Sequence, residues 1–62
     1  MIKEAIANVI RGENLSDEET ETAVGEILDG KATSAQIGSF TTALRMKGET
    51  VDEITGAAKA MR

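Results

Sequence analysis

The sequence predicts an all-α protein, a compact bundle of four short helices in a single domain of 62 residues. Two kinds of helix boundary recur along the chain, and apolar residues recur at helical spacing between them. A glycine just past a helix end tolerates the left-handed backbone that closes the last carbonyls. In a capping box, a hydroxyl caps the third helical N–H and an acid or amide three residues on reaches back. The glycines are Gly12, Gly30 and Gly48, and the boxes are Ser16 with Glu19, Thr33 with Gln36, and Thr50 with Glu53.

The first two helices are predicted over residues 2–11 and 17–29. Their apolar residues follow the i, i+3, i+4, i+7 pattern of one buried face. These residues are Ile2, Ala5, Ile6, Val9 and Ile10 in the first helix, and Thr20, Ala23, Val24, Ile27 and Leu28 in the second, with Leu15 ahead of the cap. Gly25 lowers helix stability by about 1 kcal/mol relative to Ala, so we expect a close helix crossing there.

The third and fourth helices are predicted over residues 34–47 and 51–61. The third buries Ile37, Phe40, Ala43 and Leu44, and Met46 lies to one side of this face. The fourth carries an apolar seam with small residues beside it, and no predicted helix is left to cover that seam. The seam consists of Val51, Ile54, Ala58 and Met61. Connections of a few residues predict that sequential helices pack against each other.

Size and composition predict marginal stability for the isolated chain. A domain of this length hides only about 60% of the surface that its unfolded chain exposes. Without Cys or His, the sequence offers neither a disulfide nor a zinc site to compensate. Packing against another surface is then the remaining source of stability.

The charge distribution argues against nucleic-acid binding. The formal net charge is −4; residues 12–30 carry seven acids and no base, and residues 31–48 carry three bases and no acid. Nucleic acid requires a concentrated basic face. No apolar run reaches the roughly 20 residues of a membrane span. The start, Met1 to Glu4, has no signal core, so we expect a cytoplasmic protein without nucleic-acid or membrane partners.

No residue is assigned a catalytic, cofactor-binding or metal-binding role. Ser16 is interpreted as an N-cap in preference to a modified serine, because Glu19 completes its box. The acids from Asp17 to Glu21 lack the central glycine of a calcium loop and suit the positive end of a helix dipole. Arg45 and Lys47 fit the negative end of a helix dipole better than a phosphate site, and Phe40 is interpreted as core.

A long run of the third helix resembles a known family. Residues 35–50 read AQIGSFTTALRMKGET, and Glu53-Ile54, Gly56-Ala57-Ala58, Leu15-Ser16 and the stretch 30–33 agree with it. Together they resemble the N-terminal helical domain of bacterial anthranilate phosphoribosyltransferase over essentially the whole chain. Ser34 stands where this family commonly has proline, and serine is acceptable in a first helical turn. Pyrimidine nucleoside phosphorylases share the domain type.

The resemblance implies a scaffold role in a longer enzyme. The parent would transfer phosphoribosyl from phosphoribosyl pyrophosphate to anthranilate, with Mg²⁺, in tryptophan biosynthesis, and its catalytic residues would lie in an α/β domain outside this chain. The chain alone is therefore expected to be inactive. The family's small domain forms a homodimer contact through its first and third helices and is completed by later helices.

We accordingly expect exposed apolar surface and self-association. The candidate interface residues are Ile2, Ile6, Ile37, Phe40 and Leu44, or the fourth-helix seam of Val51, Ile54, Ala58 and Met61. The alternatives are a free-standing helical interaction module and the N-terminal domain of a pyrimidine nucleoside phosphorylase. A reading frame that continues past Arg62 into a glycine-rich α/β domain would distinguish a parent enzyme from the module.

Overall fold

The computed structural model describes residues 1–62 and contains four α-helices and no strand. The helices are α1 (Ile2–Ile10), α2 (Asp17–Leu28), α3 (Ser34–Lys47) and α4 (Val51–Ala60). The predicted all-α fold is confirmed, and each boundary agrees with the sequence-based one to within one residue.

All three predicted capping boxes are formed. The N-cap hydroxyls of Ser16, Thr33 and Thr50 each accept a bond of 3.1 Å from the backbone N–H three residues on. The side chain at that third position returns a bond of 2.8 or 2.9 Å to the N-cap N–H. Local sequence alone therefore fixes where α2, α3 and α4 begin.

The three helix-ending glycines all have positive φ, but they end their helices in two ways. After α1, the N–H of Glu13 donates to the carbonyl of Asn8 and Gly12 donates to Val9, both at 2.9 Å. This is the Schellman pattern, and Gly30 repeats it after α2. Gly48, with φ 91° and ψ 121°, instead turns the chain into an extended path, and its carbonyl accepts a bond from Lys47 Nζ at 2.9 Å.

The helices pack as two pairs, α2 with α4 and α1 with α3, joined by a smaller α1–α2 contact. Of the sequential helices that were expected to pack against each other, α1 and α2 do so, whereas α2–α3 and α3–α4 are not among the main contacts. Each capping box holds its N-cap residue in extended backbone, with ψ between 163° and 168°. This non-helical residue separates each helix from the preceding one.

The closest helix crossing lies at Gly56 in α4, and the expectation of one at Gly25 is wrong. A Cβ built on Gly56 would stand 2.3 Å from the carbonyl oxygen of Asp17 and 2.8 Å from Thr20 Cβ. Nothing lies within 4 Å of a Cβ built on Gly25. The α2–α4 pair therefore depends on the missing side chain of Gly56.

A small core lies between the two helix pairs. Its buried apolar residues are Ile2, Ala5, Val9, Leu15, Ala23 and Phe40. Buried Thr20 satisfies its hydroxyl by donating to the Ser16 carbonyl at 2.9 Å. Ile10 and Leu28, which were predicted on buried faces, are exposed because each lies in the last turn of its helix, beyond the packed part.

Candidate interaction surfaces and the buried ion pair between them

A buried ion pair joins the end of α3 to the start of α4. Lys47 Nζ lies 2.9 Å from Glu53 Oε1, and the two side chains are only 7% and 1% exposed. Lys47 Nζ also donates to Asn14 Oδ1 at 3.0 Å, across the α1–α2 connection. Three separate parts of the chain therefore meet at one ammonium group.

Glu53 is fully hydrogen-bonded within this cluster. Its Oε2 accepts from the N–H of Leu15 at 2.8 Å, and its Oε1 accepts from the N–H of Thr50 at 2.9 Å. Burial raises the pKa of this carboxyl, but the Leu15 N–H, the Lys47 ammonium and the Thr50 N–H together outweigh burial and leave the pKa below its ordinary value. Glu53 is thus an ionised, structural carboxylate that ties the α1–α2 connection to the α3–α4 connection.

A second ion pair joins the last turn of α4 to the first residue of α2. Lys59 Nζ donates to Asp17 Oδ2 at 3.1 Å, and about a third of each side chain remains exposed. The hydrogen bond to Asp17 raises the pKa of Lys59 above its ordinary value. This pair holds the side chain of Asp17, the first of the three acids in the first turn of α2.

One open apolar groove runs between α1 and α3. It has a volume of about 320 Å³. Ile10 is 68% exposed and Met46 is 84% exposed, so both side chains are available to a neighbouring surface. The groove is lined by Val9, Ile10, Gly12, Ala43, Met46 and Lys47.

A second groove runs along α4, against α2 and the end of α3. It has a volume of about 250 Å³ and an almost entirely apolar floor. Val51, beside it, is exposed, as are Ile54 and Met61 within it. The groove is lined by Thr20, Val24, Leu44, Glu49, Glu53, Ile54, Ala57, Ala58 and Met61.

The predicted interface residues fall into three environments. Ile2 and Phe40 are buried in the core of the chain itself, so they offer almost no surface to a second copy. Ile6, Ile37 and Leu44 are half-buried, while Val51, Ile54, Ala58 and Met61 are exposed along α4. An interface formed by these residues stays a prediction, and its exposed candidates lie on α4.

Sequence reasoning missed the exposure of Ile10 and the buried ion pair, whereas Met46 is exposed as its position off the buried face indicated. Ile10 was placed on a buried face, although its position in the last turn of α1 left it without a covering element. Lys47 was interpreted as a partner of the α3 dipole, whereas it turns inward to Glu53. Arg45, interpreted in the same way, is exposed as expected for a helix-end base.

None of the four helices has the length and apolar character needed to cross a membrane. Nowhere do three or more carboxylates gather in a group suited to a metal ion. The acids from Asp17 to Glu21 are instead divided between roles, with Asp17 on Lys59 and Glu19 in its capping box.

The four short helices and their open apolar grooves define the chain as a small helical domain with apolar surface left open for packing. Residues 3–62 match the family model described as the glycosyl transferase family, helical bundle domain, and the chain belongs to this family. No solved structure gives a significant match.

The chain is also similar to curated relatives over its full length. It is 60% identical over 62 residues to the anthranilate phosphoribosyltransferase of Acetivibrio thermocellus and 58% identical to that of Pelobacter propionicus. It is 60% identical to that of an Anaeromyxobacter species. In each case the match covers 100% of this chain and 18% of the relative, in the N-terminal part.

Proposed function

We propose that the chain is the N-terminal scaffold and dimerisation domain of an anthranilate phosphoribosyltransferase. The intact enzyme would transfer phosphoribosyl from phosphoribosyl pyrophosphate to anthranilate, as a cytoplasmic step of tryptophan biosynthesis, with Mg²⁺ held outside these residues. The observation that carries the proposal is the match of all 62 residues to N-terminal segments of relatives that bear this name.

The α1–α3 groove supports self-association of the domain. Its two most exposed side chains, Ile10 and Met46, are apolar, and contiguous exposed apolar surface is typical of an interaction site. A second copy brings the same groove, as a two-fold symmetric dimer requires. We therefore assign this groove to the homodimer contact.

The α2–α4 groove supports contact with the remainder of the enzyme. The chain spans 18% of the length of its relatives, so most of each relative lies outside these residues. Ile54 and Met61 stand exposed on the last helix of the chain, where the polypeptide of a relative continues. An apolar segment from that remainder would cover them.

Two carboxylates, those of Glu53 and Asp17, support a structural role and not a catalytic one. The carboxylate of Glu53 is occupied by Lys47 and two backbone N–H groups, and Asp17 is occupied by Lys59. Groups held in this way are not free to transfer protons or bind a substrate phosphate. We expect phosphoribosyl transfer to require the remainder of the enzyme.

A chimeric enzyme tests the proposal. This chain replaces the matching N-terminal segment of the Acetivibrio thermocellus relative, and consumption of anthranilate is measured with phosphoribosyl pyrophosphate and Mg²⁺ present. We expect the chimera to be active and the 62-residue chain alone to be inactive. Turnover by the chain alone, or a folded but inactive chimera, would contradict the proposal.

A pair of variants in the chimera tests the covering of α4. Ile54→Asp places a charge in the apolar groove, so we expect loss of soluble, active chimera. Thr55→Asp places the same charge on the neighbouring exposed position outside the groove and should preserve activity. Equal behaviour of the two variants would show that the groove is not covered.

A further inference from the structure

The two partners of the buried ion pair line different grooves. Lys47 lines the α1–α3 groove, and Glu53 lines the α2–α4 groove. Their contact of 2.9 Å therefore forms part of the wall between the two surfaces. No other ion pair has one partner in each groove.

We propose that the Lys47–Glu53 pair couples the two grooves, so that docking of a second copy on the α1–α3 groove strengthens the hold of the α2–α4 groove on its own partner. The inference rests on the proposed function, which supplies the two occupants: a second copy of the chain and the remainder of the polypeptide.

The Lys47 side chain is 7% exposed and that of Glu53 only 1%, so the side of the pair that still meets water is the side of Lys47. A second copy over the α1–α3 groove removes water from the side of Lys47, and the attraction between two charges grows as the surrounding dielectric falls. Glu53 is drawn more firmly to Lys47. The same carboxylate is bonded to the N–H of Thr50, at the start of α4, and to the N–H of Leu15, before α2.

A shift of the Glu53 carboxylate therefore acts on the starts of both helices that form the α2–α4 groove. Leu15 N–H lies two residues before α2, and Thr50 is the N-cap of α4. Holding both helix starts in place preorganises the α2–α4 groove and lowers the cost of binding there. Coupling between binding sites is reciprocal and typically amounts to about fivefold or more in affinity.

The ionic character of the contact also favours this role over simple stabilisation. Replacing a buried ion pair by apolar side chains of similar volume is often neutral or stabilising. A pair between two grooves responds electrostatically to what covers either groove, which an apolar contact does not do.

The test follows the side chains of the 62-residue chain by NMR while the protein is diluted from self-associating to monomeric concentrations. The Ile10 methyl signals report the α1–α3 groove directly. We expect the carboxyl carbon of Glu53 and the methyl signals of Ile54, which lie across the pair, to follow the same concentration curve. This measurement requires no substitution in the pair.

Variants then test whether the effect of self-association reaches Ile54 through the Lys47–Glu53 pair. In the double variant Lys47→Met with Glu53→Gln, the shift of Ile54 should be lost while Ile10 still follows association. The matched control, Lys59→Met with Asp17→Asn, removes the ion pair between α4 and α2, which has no partner in the α1–α3 groove, and should keep the Ile54 response. If the double variant does not fold, the carboxyl signal of Glu53 in the unsubstituted chain decides.

Four outcomes would overturn the coupling. Silent Ile54 and Glu53 signals in a chain that self-associates would refute it and leave the proposed function intact, and so would an unchanged Ile54 response in the double variant. An Ile54 response that persists in Met46→Asp would show that copies meet on α4 itself. A chain that stays monomeric at every concentration would refute the dimer proposal and the coupling with it.

Discussion

The α-carbon of Gly56 faces the backbone carbonyl of Asp17 so closely that a Cβ at Gly56 would stand 2.3 Å from that oxygen. The contact joins the middle of α4 to the first turn of α2, and these two helices make the most extensive helix contact in the molecule. Backbone, unlike the end of a flexible side chain, cannot move aside without moving its helix. The register of α4 on α2 therefore depends on the absence of a side chain at residue 56.

The substitution Gly56→Ala is expected to lower the free energy of unfolding by about 2 kcal/mol, because overpacking outweighs the gain in helix propensity. Chemical denaturation monitored by circular dichroism measures the change. Gly25→Ala is the matched control: it lies in α2 with nothing within 4 Å of the new Cβ. The control should gain up to about 1 kcal/mol, and a loss in both variants would show that close approach is not the cause.

The capping hydroxyl of Thr33 is expected to contribute about 1 kcal/mol to stability, and Thr33→Ala to remove it. Thr33 is exposed, so the substitution removes the bond to the Gln36 N–H with little loss of packing. Thr22→Ala is the control, since Thr22 is an exposed threonine inside α2 whose hydroxyl bonds the Glu18 carbonyl. Equal unfolding midpoints for the two variants in urea would contradict a capping contribution.

The parts of the fold that depend on neighbouring residues could be predicted from the sequence, and the parts that depend on distant residues could not. A capping box such as Ser16 with Glu19 is complete within four residues, so its pattern defines its geometry. The contact of Glu53 with the Leu15 N–H joins residues that are 38 positions apart. Nothing in the local pattern distinguishes Glu53 from the other box-completing acid, Glu19, which remains partly exposed.

The same reasoning explains why the close helix crossing was expected at Gly25 but lies at Gly56. Gly25 and Gly56 both interrupt a helix at a similar cost in propensity, and only the packing of α4 on α2 decides which one faces a backbone. The grooves show the same division. The exposure along α4 could be predicted because no helix was predicted after α4 to cover it. The exposure of Ile10 depended on which part of α1 the other helices cover, and they leave its last turn open.

Stability is expected to fall in acid through Glu53. Its pKa in the folded chain lies below its ordinary value of 4.5, so its ionised form contributes stability above that value. The contribution is lost as the pH falls through the folded-state pKa. Glu53→Gln should cost about 3 kcal/mol near neutral pH, since it leaves the buried Lys47 ammonium without its counter-ion.

The difference between the unsubstituted chain and Glu53→Gln should therefore stay constant from about pH 7 down to the ordinary value of 4.5, and shrink from there to about pH 3. Denaturant unfolding at several pH values measures it. Glu13→Gln removes an exposed acid paired with Arg11 and should change stability by less than about 1 kcal/mol at any pH. A Glu53→Gln deficit that is constant across this range would show that ionisation of Glu53 is not its source.

Self-association through the α1–α3 groove is expected to be lost in Met46→Asp. Met46 is 84% exposed, so a charge there costs the monomer little, and surface substitutions usually change stability by less than about 0.5 kcal/mol. In a dimer the same carboxylate would be removed from water without a partner, which is strongly unfavourable. Sedimentation velocity over a concentration series separates the two effects, because the variant should remain folded yet sediment as a monomer where the unsubstituted chain does not.

Thr41→Asp puts the same charge on an exposed position of α3 that does not line the groove and should leave association unchanged. If Met46→Asp associates as strongly as Thr41→Asp, copies of the chain meet elsewhere, and the exposed seam of α4 becomes the surface to substitute next.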